Sequence, residues 1–188
     1  MSLYDAPTGD FTPFVKYNAK AGRWYVKKDD QEEEVQNPVF VADLKNAKKA
    51  WMWFMEGQAP DVKLFPDLKT AIPKPSENHK MGISINLFSD ASFGGVVKLE
   101  SNSINTCSAL GALHALYEAA PESKEGKLPV VKVTGAEAIK GNYGTNYKPT
   151  FAIEKWVDRP AAFDALAVPA EQAPAPETVP AASSASEF

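Results

Sequence analysis

Hydrophobic and polar positions alternate over short stretches of this chain, and turn residues separate the stretches. Strands are predicted for Phe11–Tyr17, Gly22–Lys28, Pro38–Asp43, Lys49–Met55, Met81–Phe88, Gly95–Leu99, Pro129–Thr134 and Thr150–Val157. One segment has another period. From Ser103 onward, Ile104, Cys107, Leu110, Leu113 and Tyr117 recur at helical spacing, with Ser or Asn as N-cap and Pro121 after the end. The run ADLKNAKKAWMWFMEG fits either period, since Leu44, Trp51 and Phe54 also suit a helix.

Many strands, then one helix, then two strands joined by a Gly-rich loop, is the order of an OB-type barrel. The expectation is a mainly β domain over residues 1–160, with extra hairpins and one helix between the third and fourth barrel strands. From 161 to 188 the composition turns to Ala, Pro, Glu and Ser, which cannot bury enough surface to offset its ordering entropy, so a flexible tail is expected. The polar run DDQEEE, Asp29–Glu34, reads as a hairpin tip or solvated loop, and TGAEAIKGNYGTNYKP as a flexible hairpin loop.

Charge sharpens this division. The 188 residues carry 20 Lys and Arg against 24 Asp and Glu, a net charge of -4. Asp164, Glu171, Glu177 and Glu187 are the only charged residues after Pro160, so the tail holds the whole imbalance and the body is neutral. The net charge is therefore no objection to a nucleic-acid partner.

Scarce residues narrow the chemistry. One cysteine and two histidines exclude a disulfide framework and a multi-histidine metal centre, and no cofactor is expected. No run approaches the roughly 18 to 20 apolar residues of a membrane span, and Met1–Asp10 lacks the order of a signal peptide, which points to a cytoplasmic protein. Phosphate-loop, zincin and nucleophile-elbow motifs are missing, and two helical turns place Cys107 and His114 about 10 Å apart. No enzyme is predicted.

What remains is aromatic residues interleaved with bases. In GRWYVKK, Arg23, Tyr25 and Lys27 share one strand face, with Trp24 and Val26 on the other. In KAWMWFM, Ala50, Met52 and Phe54 form a core set opposite Lys49, Trp51 and Trp53; the alternative is that the two tryptophans are themselves core. Lys98 opposes Val97 and Leu99, Lys132 opposes Val131 and Val133, and the Gly-rich loop adds Lys140, Tyr143, Tyr147 and Lys148. Aromatic faces stack bases and nearby cations neutralise phosphates, so these residues, with Trp24 or Tyr25, are the candidate binders of a single strand.

The segments TPFVKYNAKAGRWY, NPVFVADLKNAKKAWMWFMEGQAPD and NYKPTFAIEKWVDRP resemble a family of bacteriophage single-stranded DNA-binding proteins built on an OB fold. The resemblance spans Phe11 to Arg159. It implies a non-enzymatic accessory of replication or recombination that coats single strands with little sequence preference. Many such proteins end in an acidic tail with a final Phe that docks replication proteins, which makes Glu187 and Phe188 a candidate docking tip here. A tail of this kind is expected to compete with DNA for the groove, and a homodimer is left open. The competing expectation is a β-barrel structural or protein-interaction module, such as a virion component or adaptor.

Overall fold

Ten strands of one mixed sheet make up about half of the described residues, and their alternating burial follows the hydrophobic pattern. The computed structural model describes residues 13–28 and 31–165. The first three strands form a meander: β1 (Phe14–Asn18), β2 (Arg23–Lys28) and β3 (Gln31–Val35). They continue through β4 (Val39–Ala42), β5 (Lys48–Trp53), β6 (Asp61–Leu64), β7 (Lys80–Ser89) and β8 (Gly95–Ser101) to a long final hairpin, β9 (Leu128–Gly141) and β10 (Gly144–Val157). The strand order is β10-β9-β4-β7-β8-β1-β2-β3, with β5 pairing β7 and β6 pairing β5. Every pairing is antiparallel except that of β1 with β8.

The ambiguous run resolves into two pieces. Leu44–Asn46 is a single 3₁₀ turn with Leu44 buried, and Lys48–Trp53 is a strand. Both β4 and β5 lie on the same edge of β7, β4 against Leu87 and Phe88 and β5 against Lys80–Ser84, so the turn is a step between two parts of one edge. Ala50 and Met52 are fully buried, but Phe54 lies beyond the strand end and is 45% exposed, so it is not core. Met52 lies directly over Gly82, where an added Cβ would meet its Sδ at 2.6 Å as well as the Ser101 carbonyl.

The helix forms where expected, as α2 (Ile104–Ala119), after the short α1 (Asp90–Phe93) and before the short α3 (Pro121–Lys124). The Ser103 hydroxyl accepts from the Thr106 amide at 3.5 Å, and Pro121 opens α3 at a position where its missing N–H costs nothing. In chain order α2 stands between β8 and the last two strands. Leu110, Leu113 and Tyr117 bury against the sheet, whereas Ile104, the first residue of the helix, is 85% exposed and lies outside the core.

One face of the sheet holds the main core: Val15, Trp24, Val26, Phe40, Leu87, Val97, Leu99 and Val131, capped by α2. The sheet curls around it. Although β10 and β1 are far apart in strand order, the Tyr147 amide donates to the Ala19 carbonyl at 2.6 Å and the Tyr17 hydroxyl to the Tyr147 carbonyl at 3.0 Å. Trp24 and Phe151 approach with ring centroids 6.2 Å apart. These contacts draw β10 against the β1–β2 hairpin without a closing ladder.

Two expectations fail for one reason, that cross-strand pairing overrides local polarity. The acidic run is strand β3 from Gln31, since Glu32 faces Lys27 in register and Glu34 faces Tyr25. The Gly-rich segment is ladder down to Gly141 and Gly144, leaving only Asn142 and Tyr143 in the turn. Strand β6 was not anticipated, because DVKL is too short and too charged to show alternation. Residues 1–12, 29–30 and 166–188, which include the docking tip Glu187 and Phe188, lie outside the described residues.

Candidate nucleic-acid interface

Register determines which side chains share the face opposite the main core. One row runs Asn86, Lys98, Phe14, Lys27, Glu32 across β7, β8, β1, β2 and β3. The neighbouring pairs Lys16–Tyr25 and Tyr25–Glu34 extend a second row toward β3, and Ser84–Glu100 lies on the β7–β8 side. The segment after β5 overhangs these rows, and Phe14, Lys16, Tyr25, Lys27 and Glu32 form one wall of a cleft of about 800 Å³ whose other wall is Phe54 and residues 57–60.

The groove is aromatic, basic and partly self-neutralised. Lys16 Nζ lies 5.8 Å from the Tyr25 ring centroid and 3.0 Å from Glu32 Oε2, and Arg23 Nη1 lies 3.2 Å from Glu34 Oε2. Among the described residues Lys27 and Lys98 make no ion pair, which leaves them as cations for an anionic ligand. Glu100 accepts from the Ser84 hydroxyl at 3.3 Å.

Of the residues expected from sequence, Arg23, Tyr25, Lys27 and Lys98 meet on this face. Trp24 does not: it is 3% exposed and packs among Tyr17, Phe40 and Phe151, so its ring is unavailable for stacking. Phe54, expected in the core, joins the groove, as do Phe14 and Lys16, which were not singled out although alternation in TPFVKY already sets them opposite Val15 and Tyr17.

The Lys49, Trp51, Trp53 row lies across the sheet from this groove, because Lys49 and Trp51 register with Ile83 and Met81. Both tryptophans are half-buried, which is neither the open platform nor the full core position considered from sequence. Trp51 Nε1 donates to the Ile72 carbonyl at 2.8 Å, and its ring has Phe65 on one side and Lys74 Nζ at 6.0 Å. Trp53 meets the ring of buried His79 at 5.8 Å. His79 Nδ1 lies 2.7 Å from Ser76 Oγ and Nε2 3.1 Å from Asp61 Oδ2, a clasp between β6 and the segment that covers the tryptophans. Lys63, with His79, holds the half-buried Asp61 carboxyl below its usual range.

The remaining candidates are scattered. Lys132 is exposed and lies 3.8 Å from Glu154. Lys140 and fully exposed Tyr143 stand at the tip of the β9–β10 arm. Tyr147 packs at the base of that arm over Gly22, whose positive φ of 68° and lack of a Cβ admit the ring, and Lys148 Nζ contacts Ser108 Oγ of α2 at 3.1 Å. Burial raises the pKa of the Cys107 thiol, the opposite of what an activated nucleophile needs. Among the described residues no three side chains gather as metal ligands, and no helix is long and apolar enough to cross a membrane. No protein-family model, curated protein or solved structure matches the chain.

Proposed function

We propose that the protein binds single-stranded DNA in the groove of Phe14, Lys16, Tyr25, Lys27 and Lys98, as a phage replication or recombination accessory, and that its curled sheet is an elaborated OB-type barrel. The observation that carries this reading is the groove itself. It sets Tyr25 beside Lys16 and Phe14 between Lys27 and Lys98 on an outward sheet face, the last two lysines without an ion pair among the described residues, under an overhang that leaves room for an extended polymer. Stacking on Tyr25 and Phe14 would supply sequence-tolerant affinity, and Lys27 and Lys98 would take phosphates. An open, curled sheet with a helix before its last two strands supports the barrel assignment, since OB barrels are themselves partly open.

The test is titration of labelled oligo-dT by fluorescence anisotropy across a salt series. Tyr25→Ala is expected to cost about 1–3 kcal/mol of binding. Lys27→Ala is expected to flatten the slope of log K against log salt by about 0.7, one single-strand phosphate. Trp51→Phe, across the sheet, is expected to leave affinity unchanged. No binding by the unaltered protein at low salt would end this reading. The alternative, a protein-interaction module, is favoured by α2, which presents Ile104 and Leu116 to solvent.

A further inference from the structure

A second cleft, of about 320 Å³, lies between α2 and the step from β4 to β5, on the sheet face opposite the groove. Its floor is apolar, built from Leu44, Leu68, Ile83, Ile85 and Leu110. Three cations line it, Lys48, Lys49 and Lys69, and none of them is in an ion pair among the described residues. The one acid in its lining, Glu118, is 3.7 Å from His114. An apolar floor under unpaired lysines suits an anionic segment carrying one bulky apolar side chain, which buries its apolar body while its acids meet the cations.

This chain contains such a segment, and it follows a residue anchored beside the cleft. Arg159 Nη1 lies 2.6 Å from buried Asp43 Oδ1, next to the cleft residue Leu44, and Arg159 Nε bonds Asp164 at 2.9 Å. Arg159 is thus held at the cleft's Leu44 end, six residues before the described part ends, and Phe163 beyond it packs on Phe88 with ring centroids 6.2 Å apart. The 23 residues after the described part carry Glu171, Glu177 and Glu187 with no base, and Phe188 is their one aromatic. At about 3.3 Å per residue, 166–188 reach up to roughly 75 Å, ample to return to the cleft.

The geometry points to docking of Glu187–Phe188 in the α2 cleft, with the Phe188 ring on the Leu44–Leu110 floor and the acid toward Lys48, Lys49 and Lys69. The acidic segment is then held away from the DNA groove, on the other face of the sheet. This placement does not depend on the DNA reading, and it is tested without DNA.

Amide spectra of the ¹⁵N-labelled full chain are compared with those of Phe188→Ala. The expected result is shifts confined to cleft amides such as Leu68, Lys69, Gly111 and His114. Lys69→Glu in the full chain is expected to abolish most of that Phe188 dependence. Shifts at Lys16, Tyr25 and Lys27 instead would place the segment in the groove and overturn the proposal. Absence of any shift outside residues 166–188 would equally overturn it, and would leave the cleft to a segment of another protein.

Discussion

Neighbouring residues of β2 have opposite fates. Trp24 turns inward and is lost to stacking, while Tyr25 turns outward beside Lys16. Alternation alone made that separation legible in the sequence, but it could not say which face was core. A residue with a sharper consequence is Tyr17, whose hydroxyl joins β1 to β10 and whose burial pushes its pKa up to about 12, from 10.0. The folded state then holds a proton that the unfolded chain loses. The contribution is fully present below about pH 10 and is lost as pH rises toward 12. Denaturant midpoints measured along an alkaline series are expected to fall through that window for the unaltered protein, and less steeply for Tyr17→Phe.

At the level of elements, β3 is the strand that sequence polarity hid. QEEE has the composition of a loop, and what makes it a strand is a basic partner: Lys16 and Arg23 hold Glu32 and Glu34 on the solvent face. As a sheet edge it is guarded by charge, which discourages pairing with other chains. It also occupies Lys16 in the groove and Arg23 further along the same face. Exposed pairs of this kind are worth about 0.2–1 kcal/mol each, so Glu32→Gln with Glu34→Gln is expected to strengthen oligo-dT binding about two- to thirtyfold and to steepen its salt dependence. Unchanged affinity in the same anisotropy titration would remove β3 from any role at the groove. The site was thus half legible: four of its bases and aromatics follow from strand faces. The separation of Trp51 and Trp53 from them needed the register of β5 on β7, which no local pattern contains.

Across the whole molecule, the mainly β character, α2 and its capping were readable from period and punctuation. The branching of the sheet at β7 and the curl that brings Tyr147 to Ala19 were not, because both depend on partners distant in sequence. The same holds for the Arg159–Asp43 pair, which joins the segment after β10 to the step after β4. Asp43 is 2% exposed, with Asn46 as its other partner at 3.2 Å. Removing the guanidinium strands a buried carboxylate, so Arg159→Ala is expected to cost about 3–5 kcal/mol, read as a lower urea midpoint. A loss under 1 kcal/mol would show that water reaches Asp43.

The parallel pairing of β1 with β8 constrains the order in which the protein can be made. On the ribosome the β1–β3 meander is complete long before Gly95–Ser101 is synthesised, and β4 must wait longer still for β9. Until then those strands have unsatisfied edges and no core to cover. Such non-local closure belongs to the slow class of folding reactions, milliseconds to seconds. The acidic edge carried by β3 is then most valuable before the native state exists, when it keeps an incomplete sheet from pairing with its neighbours on the polysome.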